Sequence, residues 1–493
     1  MPHTLSRSLA RRLSLLAALS FSFAFAARAQ TPGAPHPSPP FPEIHVIPAP
    51  RELTAAGGRF EFTRDARVAL ADPRADDDRF AAEDFIEDAR AAANLALKLA
   101  GRRDRATILV GSLDLSAIQS ALRRAGVEVP PSLNEEGYVL VASPREIVVA
   151  GKSAAGTFYG LQTLKQLVRG EGDAAFVPAV TIVDYPAMRW RGVFDDINRG
   201  PVPTLDYMKR QIRTEAAFKL NMHAFNMENI VRFESQPLLG PEGGALTPAE
   251  IRELVTYARR YHVELVPQQQ TFGHLHKVLS LEKYAPLGEL PYGDVLSPQQ
   301  EGTYKLIADW YGELNELFPG RFFHVGEDEV GELSQGQSNE AVRAKGVGEV
   351  YFGHLRRVAQ ILKPYNRRLM FWGDIALTHP DLIGSVPKDM IAMNWSYGAR
   401  EDFRGRIKPF KDAGLEQFVC PGVQTWSQIF PNDDAAVKNI VNFVRDGQEA
   451  GALGMLNTEW DDDGESLFEN AWYGVVLGAA ASWQEGQLDV DRF

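Results

Sequence analysis

Short apolar strands alternate regularly with helices from residue 184 to residue 493, and this pattern constrains the fold most strongly. Strands are predicted at Trp190–Ile197, Leu220–Met227, Val263–Gln268, Phe322–Val325, Arg368–Phe371, Ile391–Asn394, Gln417–Cys420 and Gly454–Thr458. Eight successive strand–helix units are typical of a (β/α)8 barrel. The alternative is a doubly wound open sheet, but no Gly-rich phosphate-binding turn follows any of these strands. The pattern therefore predicts an α/β fold built on a (β/α)8 TIM barrel.

Two barrel helices carry clear start signals. Thr247-Pro248-Ala249-Glu250 and Ser297-Pro298-Gln299-Gln300 both have the spacing of a capping box with Pro in the first turn. We expect each Ser or Thr to cap a helix. A last helix is predicted from about Leu467 to Trp483, after the eighth strand.

Residues 43–183 are predicted to form a smaller α+β accessory domain in front of the barrel at 184–493. Strands are predicted at Arg59–Thr63, Ala106–Val110, Gly137–Val141 and Glu146–Ala150, and helices at Asp84–Ala100 and Ala154–Val168. The segment contains no convergent cluster of acids, His or Cys. We therefore expect its role to be structural.

The first 29 residues have the pattern of a secretory signal peptide. Arg7, Arg11 and Arg12 precede an apolar run from Leu13 to Ala26, and Ala27-Arg28-Ala29 follows it. The run is too short to span a membrane, and no other membrane-span candidate follows. We expect cleavage before Gln30, a Pro-rich linker over residues 30–42, and a periplasmic or secreted protein.

The acidic charge balance and the single cysteine limit the classes of partner. The net charge of −12 becomes −16 when the four arginines of the signal are removed, so nucleic acid is not expected as a partner. One thiol cannot form an internal disulfide, and Cys420 is predicted to be a buried strand residue. No metal site or cofactor is implied, because no Cys or His ligand set surrounds His274 and His276.

The segment His324-Val325-Gly326-Glu327-Asp328-Glu329-Val330 places adjacent acids at the end of the fourth barrel strand. Neighbouring carboxylates raise each other's proton affinity, so one can stay protonated while the other is charged. This division of roles suits acid-assisted cleavage of a glycosidic bond.

Polar and aromatic residues follow the other barrel strands at the face where barrel active sites are built. They include Arg199, Glu228, His274, Trp372, Trp395, Tyr397, Trp426, Trp460 and Asp462. Indole faces pack on the C–H faces of pyranose rings, and carboxylates accept from sugar hydroxyls. The strand ends therefore predict a sugar-binding site.

The chain resembles the glycoside hydrolase family 20 β-N-acetylhexosaminidases over nearly its whole predicted mature length. The segment 324–330 is similar to the H-x-G-[GA]-D-E-[VI] signature of that family. Residues 191–199, R-G-V-F-D-D-I-N-R, are similar to its R-G-x-x-x-D-x-x-R segment, and 136–168 look like the end of its accessory domain.

The resemblance implies a retaining mechanism in which the 2-acetamido oxygen of the substrate is the nucleophile and forms an oxazolinium intermediate. Glu329 would be the general acid and base, and Asp328 would hold the acetamido N–H. Arg199 and Asp462 would bind sugar hydroxyls, and Trp372, Trp395 and Trp460 would wall the acetamido pocket. His274 would be a partner of the acid. The substrate would be an oligosaccharide or glycoconjugate with a terminal N-acetylhexosamine.

Three departures from the family pattern concern the site. Glu327 replaces a small residue, and it either points into the barrel wall or adds a third negative charge beside Glu329. Strand two ends in Glu228, as in a divergent branch. A Tyr expected after strand seven is absent, and Tyr397 of strand six is the candidate to replace its hydroxyl.

Two alternatives to an exo-acting β-N-acetylhexosaminidase stay open. One is a relative that acts on sulfated or disaccharide units, and the other is a carbohydrate-binding protein without catalysis. The intact Asp328–Glu329 pair argues against the second.

Overall fold

The computed structural model describes residues 44–100, 107–462, 464 and 466–493. The predicted signal peptide (1–29) and linker (30–42) lie outside the described residues, so those two predictions stay untested.

One seven-stranded mixed sheet forms the centre of the N-terminal domain. Its strands are β1 (Glu52–Glu61), β2 (Arg67–Leu70), β3 (Lys98–Leu99), β4 (Ile108–Ser112), β5 (Tyr138–Ala142), β6 (Ile147–Gly151) and β7 (Phe176–Asp184). They lie in the order β1-β7-β5-β6-β4-β2-β3. Sequence analysis missed β2, β3 and β7.

Three helices cover the two faces of this sheet: α1 (Asp76–Ala93), α2 (Ser116–Ala125) and α3 (Ala154–Leu167). Side chains of β5 alternate between the faces, since Tyr138 and Leu140 join the core that contains α1 and α3, whereas Val139 and Val141 join the core of α2. The helix predicted at Asp84–Ala100 begins eight residues earlier. It ends at Ala93, and the left-handed backbone of the capping residue Asn94 (φ 51°) closes the helix.

The second domain is the predicted barrel, which is confirmed. Its strands are β8 (Trp190–Asp195), β9 (Met222–Asn226), β10 (Glu264–Gln268), β11 (Phe322–His324), β12 (Arg368–Trp372), β13 (Ile391–Trp395), β14 (Glu416–Cys420) and β15 (Gly454–Thr458). Every neighbouring pair is parallel, and β15 pairs with β8 to close the ring. All carboxyl ends of the strands therefore meet at one face.

Helices surround the strands or fill the loops above them. They are α4 (Leu205–Ala217), α5 (Pro248–Arg260), α6 (His276–Leu279), α7 (Glu301–Leu317), α8 (Asn339–Lys345), α9 (Val347–Leu362), α10 (Asp374–Thr378), α11 (Arg404–Asp412), α12 (Asp433–Ala450) and α13 (Trp472–Trp483). The predicted last helix is shorter than expected, because a 3-10 turn occupies Phe468–Ala471 before α13.

One of the two predicted capping boxes is present. Thr247 caps α5 and exchanges hydrogen bonds with Glu250, as predicted. The box at Ser297 is wrong: α7 begins only at Glu301, and the Ser297 hydroxyl accepts from the Gln299 N–H in the turn before it.

Bulky side chains fill the barrel interior, so it is a packed core and not a channel. They include Phe194, Met222, Phe322, Met370, Trp372, Met393 and Phe418. Cys420 is fully buried among them, as predicted. Among the described helices, none has the length and apolar character needed to cross a membrane.

Candidate active site

A cavity of about 180 Å³ opens at the carboxyl ends of the barrel strands. Its wall consists of Arg199, His274, Asp328, Glu329, Trp395, Tyr397, Trp426, Trp460 and Asp462. Nine of the predicted site residues, from the ends of six strands, therefore meet around one pocket. We refer to this cavity as the pocket.

The adjacent acids project from a sharp turn after β11. Its backbone has positive φ at Gly326 (74°), Glu327 (83°) and Glu329 (49°), so the chain reverses direction within a few residues. The Glu329 N–H donates to Asp374 Oδ2 at 3.2 Å, and this bond fixes the end of the turn.

Asp328 and Glu329 lie in different surroundings. Asp328 is buried, and its Oδ1 accepts from Gln270 Nε2 at 2.9 Å. Glu329 is 58% exposed at the pocket mouth. Burial raises the pKa of Asp328, but the nearby His274 and the Gln270 hydrogen bond outweigh it and leave this pKa below its ordinary value. Asp328 is therefore charged at neutral pH.

His274 contacts both acids. Its Nε2 lies 3.4 Å from Asp328 Oδ2 and 3.3 Å from Glu329 Oε2. Burial lowers the pKa of His274, but the carboxylates of Asp328 and Glu329 prevail and raise this pKa to about 11. The side chain is therefore an imidazolium that holds the two carboxylates together, consistent with the expected partner of the acid.

Aromatic rings from three strand ends form the opposite wall. Trp395 stacks on Tyr397 with ring centroids 5.0 Å apart, and Tyr397 lies 4.7 Å from Trp426. Trp460 Nε1 donates to the Tyr397 hydroxyl at 2.6 Å. That hydroxyl still carries its own proton and can donate it. Where strand seven lacks the expected Tyr, Gln424 instead donates its Nε2 to the Tyr397 carbonyl.

Arg199 is held at the pocket edge by two acids. Its Nε donates to Asp196 Oδ2 at 2.7 Å, and its Nη1 pairs with Asp462 Oδ1 at 2.6 Å. Its guanidinium also lies 5.0 Å from the centre of the Trp460 ring. These contacts place a fixed positive charge where sugar hydroxyls could reach it.

Two predicted binding residues, Trp372 and Glu228, lie outside the pocket wall, so their contact with a sugar stays a prediction. Trp372 is fully buried beneath the wall, 4.4 Å from the His324 ring and 5.8 Å from Trp460, because its side chain points into the barrel interior. Glu228 accepts from Asn198 Nδ2 at 2.8 Å and from the Lys277 N–H at 2.7 Å. It therefore ties the loops after β8 and β10 together.

Three positioning residues were missed by sequence analysis: Gln270, Asp374 and Asp196. Asp374 accepts from Glu329 N–H and from Trp395 Nε1 (3.3 Å), and burial, with the charge of Asp328, raises its pKa to about 7. Each is a polar residue that follows a barrel strand, but only its contacts distinguish it from an exposed loop residue.

Glu327 points away from the pocket, which settles the alternative left by the sequence. It is fully buried behind the turn and contacts Thr271 and His354. It therefore contributes no third carboxylate to the pocket wall.

A closed parallel barrel with a sugar-sized pocket of paired acids, an arginine and aromatic walls belongs to the glycoside hydrolase class of barrel proteins. Comparison with protein families is more specific. The second domain of glycosyl hydrolase family 20 matches residues 43–185, and the family 20 catalytic domain matches residues 188–408. The chain belongs to glycosyl hydrolase family 20, and the predicted resemblance is confirmed.

Individual relatives are distant. A β-hexosaminidase of Porphyromonas gingivalis is 25% identical over 395 residues, which cover 71% of this chain and 47% of that protein. A hexosaminidase D of Bos taurus is 30% identical over 44% of this chain and 66% of its own length. The chain spans about half the length of the first curated relatives it matches.

Solved structures share the fold. A chitobiase of Flavobacterium johnsoniae superimposes with a TM-score of 0.73 at 20% identity, over 91% of this chain and 70% of that one. A β-N-acetylhexosaminidase of Bacteroides fragilis has a TM-score of 0.71 at 19% identity, over 91% and 92%. These likenesses support the fold of both domains.

Proposed function

We propose that the protein is an exo-acting β-N-acetylhexosaminidase that removes terminal, non-reducing GlcNAc or GalNAc. Catalysis is retaining and assisted by the substrate. The acetamido carbonyl oxygen attacks the anomeric carbon while Glu329 gives a proton to the leaving oxygen. Water then opens the oxazolinium ring, and Glu329 takes its proton back from that water.

The arrangement of carboxylates in the pocket is the observation that carries this proposal. Asp328 and Glu329 are neighbours on one turn, so they do not face each other across a sugar ring. Among the described residues of the wall, the one other carboxylate is Asp462, which is paired with Arg199. Within the described wall, no unpaired carboxylate lies opposite the pair, and this supports a nucleophile supplied by the substrate itself.

Each wall residue has a task in this mechanism. Asp328 accepts the acetamido N–H and stabilises the positive charge that develops on the oxazolinium ring. Tyr397 donates a hydrogen bond to the acetamido oxygen and orients it. Trp395, Trp426 and Trp460 enclose the methyl group and ring, and Arg199 with Asp462 binds the outer hydroxyls.

Hydrolysis of matched aryl glycosides tests the proposal. The purified protein should cleave nitrophenyl β-N-acetylglucosaminide or the corresponding galactosaminide, and it should leave nitrophenyl β-glucoside intact because the 2-hydroxyl cannot form an oxazolinium ring. Equal cleavage of the glucoside would contradict the mechanism. Sugar binding without turnover would identify a non-catalytic binding protein, and turnover of sulfated or disaccharide substrates alone would identify a different specificity.

Export to the periplasm or medium is part of the proposal. Its support is the arginine, apolar and A-x-A pattern of residues 1–29. N-terminal sequencing of the protein recovered outside the cytoplasm should begin at Gln30, and an intact Met1 would contradict it.

A further inference from the structure

The buried carboxyl of Glu327 has no part in the mechanism above, although it directly precedes Asp328. Its side chain is fully buried, and its backbone has a φ of 83°, which is unfavourable for a residue with a side chain. The family pattern has a small residue at this position. A large ionisable side chain at this position costs free energy both by burial and by backbone strain, so a compensating role is expected.

The contacts of Glu327 are few and specific. Its Oε1 hydrogen-bonds with the Thr271 hydroxyl, which lies 2.9 Å from the Val325 carbonyl. His354 Nε2 lies 3.5 Å from Glu327 Oε1 but only 3.1 Å from the Thr271 carbonyl oxygen. Glu327 Oε2 is buried without a hydrogen-bond partner.

His354 does not supply a positive charge to Glu327. Its Nε2 faces a carbonyl and must carry a proton, while its Nδ1 lies 3.2 Å from the Tyr304 hydroxyl, which can donate to it. Burial lowers the pKa of His354 to about 3. His354 is therefore neutral, with its proton directed at Thr271.

The other groups that face Glu327 do not favour a charge either. Tyr304 and Tyr311 face it from α7, Tyr351 from α9, and Asp328 from its own turn. Arg357 lies farther out, over the Tyr304 ring, and pairs with Glu301. Within the described residues, the one basic side chain within 4 Å of the Glu327 carboxyl is thus His354, which is neutral and forms no ion pair.

A neutral acid satisfies this environment better than a carboxylate. A carboxylate offers acceptor sites for several donors, and here only the Thr271 hydroxyl and, at 3.5 Å, the His354 Nε2–H face Oε1, while the buried Oε2 has no donor. A protonated Glu327 instead donates a hydrogen bond to the Thr271 hydroxyl, which in turn donates a hydrogen bond to the Val325 carbonyl. Burial and the charge of Asp328 raise the pKa of Glu327 to about 8, against the opposing hydrogen bond from Thr271.

The neighbouring segment connects this acid to the catalytic pair. Gln270 Oε1 accepts from the Glu327 N–H at 3.1 Å, and Gln270 Nε2 donates to Asp328 Oδ1 at 2.9 Å. Gln270 and Thr271 therefore hold the backbone of Glu327, its carboxyl and the carboxylate of Asp328 at once.

We propose that Glu327 is a positioning residue that, as an uncharged acid, locks the Asp328–Glu329 turn against Gln270 and Thr271, and whose ionisation sets the alkaline limit of activity. The proposal rests on the proposed function for its kinetic readout. Loss of the proton places an unpaired charge beside Asp328, and the repulsion displaces the group that must hold the acetamido N–H.

Substitution by Gln separates charge from shape. E327Q cannot ionise and should keep kcat at neutral pH within about threefold, while the alkaline limb of its kcat/KM profile moves up by about one pH unit or more. E327A removes the carboxyl that contacts Thr271, so it should lower kcat more than it changes KM. E289Q is the matched control, since Glu289 is buried at Ser338, away from the pair, and its alkaline limb should stay in place.

Two results would overturn the proposal. One is an E327Q profile with the same alkaline limb as the wild type. The other is a folded E327A, judged by circular dichroism, with wild-type kcat.

A second readout does not depend on activity. If the wild type cleaves no N-acetylhexosaminide, the proposed function fails, and the proton on Glu327 is then read from unfolding. Because the folded state holds this proton more tightly, wild-type stability should fall relative to E327Q as pH rises from about 5 to about 8. Parallel stability curves would contradict a buried neutral acid.

Discussion

Asp328 and Glu329 are chemically similar side chains that the fold separates into different roles. Asp328 is buried, receives a hydrogen bond from Gln270 and lies beside the His274 imidazolium. Glu329 is more than half exposed at the pocket mouth, where the leaving group would depart in the proposed mechanism. In the proposed mechanism, a single turn of irregular backbone therefore supplies both a fixed anion and a proton carrier.

Removing the proton of Glu329 should make activity depend on the leaving group. E329Q should lose about 100-fold or more in kcat/KM toward an alkyl glycoside, since general acid catalysis is worth roughly that much. The loss should be clearly smaller toward a dinitrophenyl glycoside, whose leaving group needs no proton. E340Q, on the exposed helix α8, is the control. Equal losses on both substrates would remove Glu329 from the role of acid.

Removing the charge of Asp328 while keeping the shape of its side chain should impair catalysis. D328N should lower kcat by about 100-fold or more, the usual effect of losing one preorganised electrostatic contact. A thiazoline analogue of the intermediate should also bind more weakly, whereas exposed D381N should behave like the wild type. Unchanged thiazoline inhibition would refute the contact with the acetamido group.

The same substitution should also alter the titration of His274. Asp328 is the main charge that raises the pKa of His274, so D328N should bring this pKa down from about 11 toward the ordinary histidine range. A histidine NMR titration of both proteins measures the change, and an unmoved pKa would mean that Asp328 and His274 do not interact.

Sequence reasoning located most of the pocket because the carboxyl ends of barrel strands must meet at one face. It could not decide whether a side chain at the end of a strand points into the barrel core or into the pocket. Trp372 and Trp395 both end barrel strands, yet the first points into the core and the second into the pocket. Glu228 has the chemistry of a sugar ligand, but its partners are the Asn198 side-chain amide and the Lys277 N–H, which only the folded loops bring close.

Loops after the last three barrel strands form a connected wall. Thr425 Oγ1 donates to the Trp460 carbonyl at 2.9 Å and lies 3.4 Å from the Trp460 N–H, while Gln424 reaches the Tyr397 carbonyl. Hydrogen bonds among the three loops therefore hold this wall together. In the proposed mechanism, the wall encloses the acetamido group.

Breaking this connection should weaken sugar binding with little effect on the chemical step. T425V keeps the shape of the side chain and removes both contacts, so KM should rise about 2- to 10-fold, the effect of a lost hydrogen bond. T256V, on the exposed face of α5, is the matched control. A fall in kcat at unchanged KM would show that the wall does not act as a binding element.

The starts of α5 and α7 show when a local sequence pattern is sufficient to predict a helix cap. The Thr247 box formed because its Glu250 side chain reaches back to the Thr247 N–H. Ser297 has Gln300 at the same spacing. However, the Ser297 carbonyl accepts from the Thr303 hydroxyl, and the Ser297 N–H donates to the Leu287 carbonyl. These contacts hold Ser297 outside the helix, which begins only at Glu301. A local pattern thus predicts a cap only where tertiary contacts leave its residues free.

At the scale of the whole molecule, a buried ion pair joins the accessory sheet to the barrel. Lys219 Nζ lies 3.1 Å from Asp184 Oδ2, and both side chains are fully buried. Asp184 also accepts from the Tyr138 hydroxyl and from Trp483 Nε1. Burial lowers the pKa of Lys219, and the carboxylate of Asp184 opposes that effect.

Deleting this carboxylate should destabilise the protein strongly. D184A leaves the Lys219 charge buried and unpaired, so the free energy of unfolding should fall by about 3–5 kcal/mol. The surface pair of Lys408 and Asp412 is the control, and D412A should cost about 0.5 kcal/mol or less. Urea unfolding measures both, and equal small losses would mean that the interface does not depend on the pair.

The central claim is that the substrate's own acetamido oxygen is the nucleophile. Nitrophenyl glycosides with acetamido, fluoroacetamido, difluoroacetamido and trifluoroacetamido groups test it most directly, because each fluorine makes that oxygen less nucleophilic while the leaving group stays the same. We predict that kcat/KM falls at every step, by about tenfold or more across the series. A rate that stays within about twofold across all four substrates would contradict the account.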